Sequence, residues 1–260
     1  MGEEPAILIL SATRMEISPL LKNVEVTSET VSAAGRRIIS AKHGKREFKL
    51  VITGPGTINC AQALTGALEH QKPDIVLQTG IAGIFKETGL KLGDIGIADS
   101  EKYIHTGIEN PRSSLALDPL PFDLIKENIL TRKGIFPVNR ELADQAYAIL
   151  SEHFSKKKCQ VIKGPFITVS AITSTQKKAD KLFSLFSPCM EAMEGSAAAH
   201  VTALYKTDFL EIRAGSNYVG KRDKNRWDIP FAAKRVCQAT ALFLEQYRKL
   251  SYKSEYLPFS

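Results

Sequence analysis

Asp74-Ile75-Val76-Leu77-Gln78-Thr79-Gly80-Ile81-Ala82-Gly83 decides the fold class of this 260-residue chain. Pro73 opens the run, residues 74–79 read as a short buried strand, and Gly80 stops it. A second run of this kind, Ala6-Ile7-Leu8-Ile9-Leu10, ends at Ser11-Ala12, and a helical pattern follows over 14–21. Outward from these two, segments near 37–41 and 48–53 flank His43-Gly44-Lys45 and read as a hairpin. Gly54-Pro55-Gly56-Thr57 breaks that strand and opens a helix over 58–68. Strands are expected at 95–98, 164–170 and 209–214, and helices at 143–153, 194–205 and 229–250. Strands alternating with helices predict an α/β domain with a mostly parallel sheet flanked by helices.

No linker, repeat or low-complexity block divides the chain, so residues 1–260 read as one domain with 251–260 as a loose tail. Residues 109–139 stand apart. They carry Pro111, Pro119, Pro121 and Pro137 around a short helical piece near 122–130, and read as a lid or an interface segment. A hydrophobic share of 43% with 24% charged residues builds a sizeable core and excludes disorder for most of the chain. The net charge of +7 is spread along the chain, without the motif that nucleic-acid binding requires. Cys60, Cys159, Cys189 and Cys237 lack CxxC spacing, so neither a zinc site nor a redox pair is expected; buried thiols in a reducing compartment are. The apolar run 6–10 is far too short for a membrane span. The reading is a cytoplasmic protein without metal or cofactor.

In open α/β sheets ligands lie at the carboxyl ends of strands. Five such ends carry unusual residues: Ser11–Glu16, Gly54–Thr57, Gly80–Gly83, Glu191–Gly195 and Ser216–Gly220. Each has a plain reading of its own. Gly54 and Gly56 serve a tight turn, and Gly80 and Gly83 serve close packing. Glu16 is a solvated helix residue, Met193 core filler, Glu194 a favourable charge at a helix start, and Asn217 a turn residue.

Taken in order, these segments resemble the nucleoside phosphorylase and nucleosidase superfamily along nearly the whole chain, which implies that family's three-layer fold with a central mixed, mostly parallel sheet flanked by helices. The carrying residues are Thr53–Asn59, Gly80–Gly83, Glu191–Gly195 and Arg213–Gly220. Val219-Gly220-Lys221-Arg222-Asp223, with Trp227 beyond, is similar to the futalosine hydrolase branch. Ala192 departs from the pattern, in which Asn or Glu often precedes the Met.

The resemblance implies cleavage of a purine–ribose bond. Such a reaction builds positive charge on the sugar and negative charge on the leaving base. It implies Glu194 and Met193 on the ribose, where a carboxylate accepts from both the 2′- and 3′-hydroxyls. Glu16 becomes the carboxylate that activates water. Phe166 would stack on the base, or is a core strand residue. Ile167 would offer backbone groups to the purine edge, and Ala82 and Gly83 would border the pocket. Asn217 stands where adenine-specific relatives usually carry Asp. Its NH₂ suits a 6-oxo group and its carbonyl a protonated N7, so hypoxanthine fits better than adenine.

The far end of futalosine is a carboxylate, for which Arg222, Lys221, Arg112 and Arg140 are candidates, or are surface charges. The resemblance also implies a homodimer or higher homo-oligomer in which a partner loop completes the pocket. The rival readings are a methylthioadenosine/S-adenosylhomocysteine or aminodeoxyfutalosine nucleosidase, a purine nucleoside phosphorylase, and a nucleoside-binding relative without activity.

Overall fold

A computed structural model describes residues 5–248 of the chain. The expected tail at 251–260 lies outside the described residues. The elements run β1 (Ile7–Ser11), α1 (Arg14–Leu21), β2 (Glu25–Val31), β3 (Arg37–His43), β4 (Arg46–Ile52), α2 (Thr57–His70), β5 (Ile75–Ile84) and β6 (Ile95–Tyr103). Then come β7 (Ile108–Asn110), β8 (Ser113–Asp118), β9 (Ile135–Phe136), α3 (Arg140–Ser155), β10 (Val161–Thr168) and α4 (Gln176–Phe186). The last are β11 (Met190–Ala192), α5 (Gly195–Leu204), β12 (Asp208–Tyr218) and α6 (Ile229–Gln246).

The central sheet is mixed, in the order β11-β10-β6-β12-β5-β1-β4-β3-β2. It is parallel through β4–β1–β5–β12 and again through β6–β10–β11. Antiparallel joints lie at β12–β6 and in the β2–β3–β4 meander. Alternate side chains of β1 serve opposite faces. Ile7 and Ile9 pack with Ile17, Leu150 and Val236 under α1, α3 and α6. Leu8 and Leu10 pack with Leu64, Leu68 and Ala199 under α2 and α5. These are the three expected layers.

β5 does more than the sequence suggests. It runs through Gly80 to Ile84 rather than stopping at Gly80. Its first half lies beside β1, from Ile75 to Gln78. Its second half leaves β1 and pairs with β11, which also pairs with β10. β11, β10, β6, β12 and β5 therefore form a closed ring of strands. Ala82, Ile84, Ala98, Phe166, Met190 and Ala192 fill its interior. The glycines of 80–83 are not a turn; β12 pairs them on one side all along. Strand pairing overrides glycine's local cost to a strand.

Three elements carry no clear sequence signal. β2 is exposed along its whole length and has no hydrophobic alternation. β11 is three residues long. α4 is polar on one face and buries only Ala179 and Leu182. The segment 109–139 also differs from expectation. It begins within a small hairpin, β7–β8. The expected helix near 122–130 does not form; a 3-10 turn covers Ile129–Lys133 instead. The Thr131 hydroxyl accepts from the amides of Leu124 (3.0 Å) and Ile125 (3.2 Å), which a helix would have used for its own carbonyls. Among the described residues no helix is long and apolar enough to cross a membrane.

Candidate active site

The cluster of interest lies where β5 diverges from β1 and joins β11, the kind of topological switch at which α/β sheets open a crevice. Its centre is Arg213, on β12 and 1% exposed. Burial opposes the guanidinium's charge, but the carboxylates of Glu211, Glu194 and Glu16 outweigh it and hold its pKa above the ordinary value. Nε donates to Glu211 Oε1 (2.8 Å), one terminal nitrogen to Glu194 Oε2 (3.0 Å), and the other to the Ile81 carbonyl (3.2 Å). A side chain at residue 80 would meet this guanidinium at 2.7 Å and Glu16 Oε1 at 3.0 Å, so Gly80 is what lets the two groups approach.

Glu194 occupies the N-cap position of α5 but makes no cap bond there. Its side chain reaches across instead, taking Arg213 on one oxygen and the Gly56 amide (2.8 Å) on the other. Gly56 has φ of 93° and Gly54 of 82°, both in the left-handed region that favours glycine. The 54–57 turn is thus bent so that its amide points at Glu194. The local readings of Glu194 as a helix-start charge and of the glycines as a bare turn give way to one built contact. Each Glu194 oxygen keeps a lone pair for a further donor.

Glu16 is buried rather than solvated. Thr13 caps α1, and Glu16 answers as the third helical residue: its Oε2 accepts from the Thr13 amide (2.9 Å) and hydroxyl (2.8 Å). Its Oε1 accepts from the Ile81 amide (3.1 Å). The spacing Thr13-x-x-Glu16 is a capping signal that was available in the sequence.

Asn217 is in strand β12, not a turn. Ser216 is an extra residue in the β12–β5 ladder, which places Asn217 opposite Gly83. The Ser216 hydroxyl donates to Asn217 Oδ1 (2.8 Å) and lies 3.2 Å from the Ala82 carbonyl, while Asn217 Nδ2 donates to the Tyr218 carbonyl (3.2 Å). A side chain at Gly83 would meet Val219 at 2.8 Å and Asn217 Nδ2 at 3.3 Å. Ala82 turns its methyl into the ring of strands.

Phe166 and Ile167 both lie within the paired strand β10. Phe166 is fully buried in the ring interior, against Met190 and Ala98. Its Cζ lies 2.8 Å from where a Gly96 side chain would start, so the core alternative describes it. Ile167 faces the cluster under α4, and strands β6 and β11 flank its backbone on both sides. Phe166→Leu is accordingly expected to lower stability by about 1–1.5 kcal/mol while leaving KM unchanged, as read by thermal unfolding and initial rates.

β10 ends at Thr168, two residues earlier than predicted, and the exposed Ser170, Ala171 and Ile172 follow. Thr173 ties this loop down through Glu191, its amide at 3.0 Å and its hydroxyl at 2.5 Å. Burial raises the Glu191 pKa, against the lowering effect of these bonds. Met193, half-buried, packs against the Val169–Val219 cluster.

Arg222 is exposed, with its guanidinium 5.2 Å from the Trp227 ring centroid. Lys221, Arg112 and Arg140 are exposed too. Among the described residues no group of three or more His, Cys, Asp or Glu side chains could hold a metal ion.

The fold agrees with comparison to known proteins. The family model of the phosphorylase superfamily matches residues 6–248. The chain belongs to that superfamily. A curated relative, the 5′-methylthioadenosine/S-adenosylhomocysteine nucleosidase of Haemophilus influenzae (strain PittEE), is 29% identical over 93% of this chain and 98% of its own. Two solved structures share the fold. The S-adenosylhomocysteine nucleosidase of Streptococcus pyogenes, in complex with 5-methylthiotubericidin, has a TM-score of 0.77 at 24% identity, covering 94% of this chain and 98% of that one. The futalosine hydrolase of Helicobacter pylori has a TM-score of 0.77 at 17% identity, with the same coverage.

Proposed function

We propose that this enzyme, an N-glycosyl hydrolase of the phosphorylase superfamily, releases a 6-oxopurine from a ribonucleoside of the futalosine type. The observation that carries the base assignment is Asn217, held by Ser216 at the bulge of β12. The Ser216 hydroxyl donates to Asn217 Oδ1, which orients the amide. Nδ2 then donates to the 6-oxo group, and Oδ1 accepts from N7 once solvent water has supplied its proton, water that Glu16 in turn replenishes with the proton it takes from the nucleophile. An adenine 6-amino group would face the same donor and lose that bond.

Glu194, supported by Arg213 and the Gly56 amide, accepts from the two ribose hydroxyls with its remaining lone pairs. Those bonds strengthen as the sugar becomes positive, which favours the transition state over the ground state. Met193 packs on the sugar. Glu16, fixed through Thr13 and Ile81, takes a proton from the attacking water, and Arg213 beside it limits the build-up of negative charge in the pocket. The negative charge that develops on the base is neutralised at N7. Ala82 and Gly83 contribute backbone to the pocket wall, and Arg222 on Trp227 is a candidate for a carboxylate beyond the ribose.

A second reading rests on the curated relatives, which are named methylthioadenosine/S-adenosylhomocysteine nucleosidases over almost the whole chain. In that reading the base is adenine. A phosphorylase is less well supported, because Arg14, the cation nearest the first strand exit, is engaged with Glu29 at 2.8 Å.

One assay separates the three. Inosine, futalosine and methylthioadenosine are incubated with and without phosphate, and the products are weighed by mass spectrometry. The expected products are hypoxanthine and an unphosphorylated sugar, formed equally well without phosphate. Faster release of adenine establishes the second reading, and strict dependence on phosphate establishes a phosphorylase.

A further inference from the structure

The buried Glu101 and Glu211 play no part in the chemistry above. Both are 0% exposed, one on β6 and the other on the adjacent β12. Glu101 Oε2 accepts from the Thr168 (2.7 Å) and Ser196 (2.9 Å) hydroxyls. Glu211 Oε1 accepts from Arg213 Nε. The other two oxygens, Glu101 Oε1 and Glu211 Oε2, have no hydrogen-bond partner among the described residues. Both point to one spot, each 2.2 Å from where a side chain at Gly195 would begin. Two adjacent carboxylates in such a place cannot both be ionised, and one proton between them satisfies both orphaned oxygens.

We infer that Glu101 and Glu211 share a single proton and together act as positioning residues for Arg213, and through it for Glu194. The proton belongs on the Glu101 side, because Glu211 faces the guanidinium. Burial first, and the neighbouring Glu211 charge second, hold the Glu101 carboxyl well above the usual carboxylate range. One negative charge then remains on Glu211 to fix Nε of Arg213, which leaves the other guanidinium nitrogens for Glu194 and Ile81. Among the described residues, Cys60 of α2, whose thiol burial keeps neutral, and Glu16 of α1 also act on the charges of this cluster. Gly195 has to be glycine, because a methyl there would force the pair apart.

The inference rests on Glu194 being the ribose carboxylate. The test compares the wild type with Glu101→Leu, Glu101→Gln, Glu211→Gln and Glu194→Gln. The readouts are kcat and KM against pH on the best nucleoside of the panel, and thermal unfolding of each variant across the same pH range. Glu211→Gln is expected to lose about 10²-fold in kcat/KM through displacement of Arg213 and Glu194. Glu101→Leu should lose activity too, because Glu211 then has no shared proton. Glu101→Gln restores it by supplying a neutral donor.

The wild type should also lose activity at alkaline pH as the shared proton leaves, and Glu101→Gln should lack that limb. Unfolding carries the same sign. Glu101 is protonated in the fold and ionised at neutral pH when unfolded, so wild-type stability declines as pH rises from the usual carboxylate range toward the raised value. The Gln variant lacks that decline. Equal losses in Glu101→Gln and Glu101→Leu, or an alkaline limb that persists in Glu101→Gln, overturn the inference. If Glu194→Gln is inactive while Glu211→Gln matches the wild type, the inference fails and the ribose reading stands. If Glu194→Gln is fully active, the ribose reading itself fails.

Discussion

Glu16→Gln lowers kcat by about 10²–10⁴-fold and leaves KM little changed, the range that a positioned general base contributes. The substitution is chosen so that the fold survives it. Gln serves in a capping box as Glu does, so the Thr13 amide and hydroxyl keep a partner and α1 keeps its start. The Ile81 amide then faces the Gln NH₂ and loses its acceptor, a local cost of about 1–3 kcal/mol that the unfolding control reads. What is lost is the capacity to take a proton from water. A stopped assay at saturating substrate, with thermal unfolding as control, reads both sides of this. A kcat within tenfold of the wild type, in a protein that melts normally, would remove Glu16 from the chemistry and leave it only a helix cap.

Asn217→Asp is expected to move the base preference toward adenine. The ratio of kcat/KM for a hypoxanthine nucleoside over the matching adenine nucleoside should fall by about 10⁴, the scale on which a site built for one hydrogen-bond pattern rejects another. Asp in the same place offers acceptors to the 6-amino group and, when protonated, a donor to N7. Ser216 still has an oxygen to donate to, so the bulge and the pairing with Gly83 should persist. Competition between the two nucleosides in one tube gives the ratio directly. No change in the ratio would mean that Asn217 is held by Ser216 and Tyr218 for the strand's sake and does not touch the base.

The two expectations differ in how far the sequence could carry them. Glu194 and Asn217 become candidates through the order of the motifs in which they sit, while their local readings point elsewhere. Glu16 had its own signal in Thr13-x-x-Glu16. Arg213 stands in one of the motifs without a role that its local sequence assigns. Nothing about an arginine in an apolar strand says whether it is buried, and its worth depends on three carboxylates that arrive from α1, the start of α5 and its own strand. Phe166 shows the opposite case, where the core alternative matches the structure. It stands in the right segment for a stacking aromatic, but the ring of strands turns it inward, and β10 ends two residues before the exposed 170–172 loop.

Periodicity and breakers in the sequence determined the α/β class, with helices flanking a mostly parallel sheet, and most of the elements that carry the candidate site. They do so because apolar alternation and glycine or proline punctuation are properties of the local chain. Only the tertiary structure decided that β5 continues through Gly80 to Ile84, leaving β1 for β11. Only it decided that Glu101 and Glu211 meet under Gly195. The physical reason is common to both. Backbone pairing and buried charge balance are set by partners more than a hundred residues away in the chain. A glycine-rich run or a lone glutamate takes its role from what is packed against it, not from its neighbours in sequence.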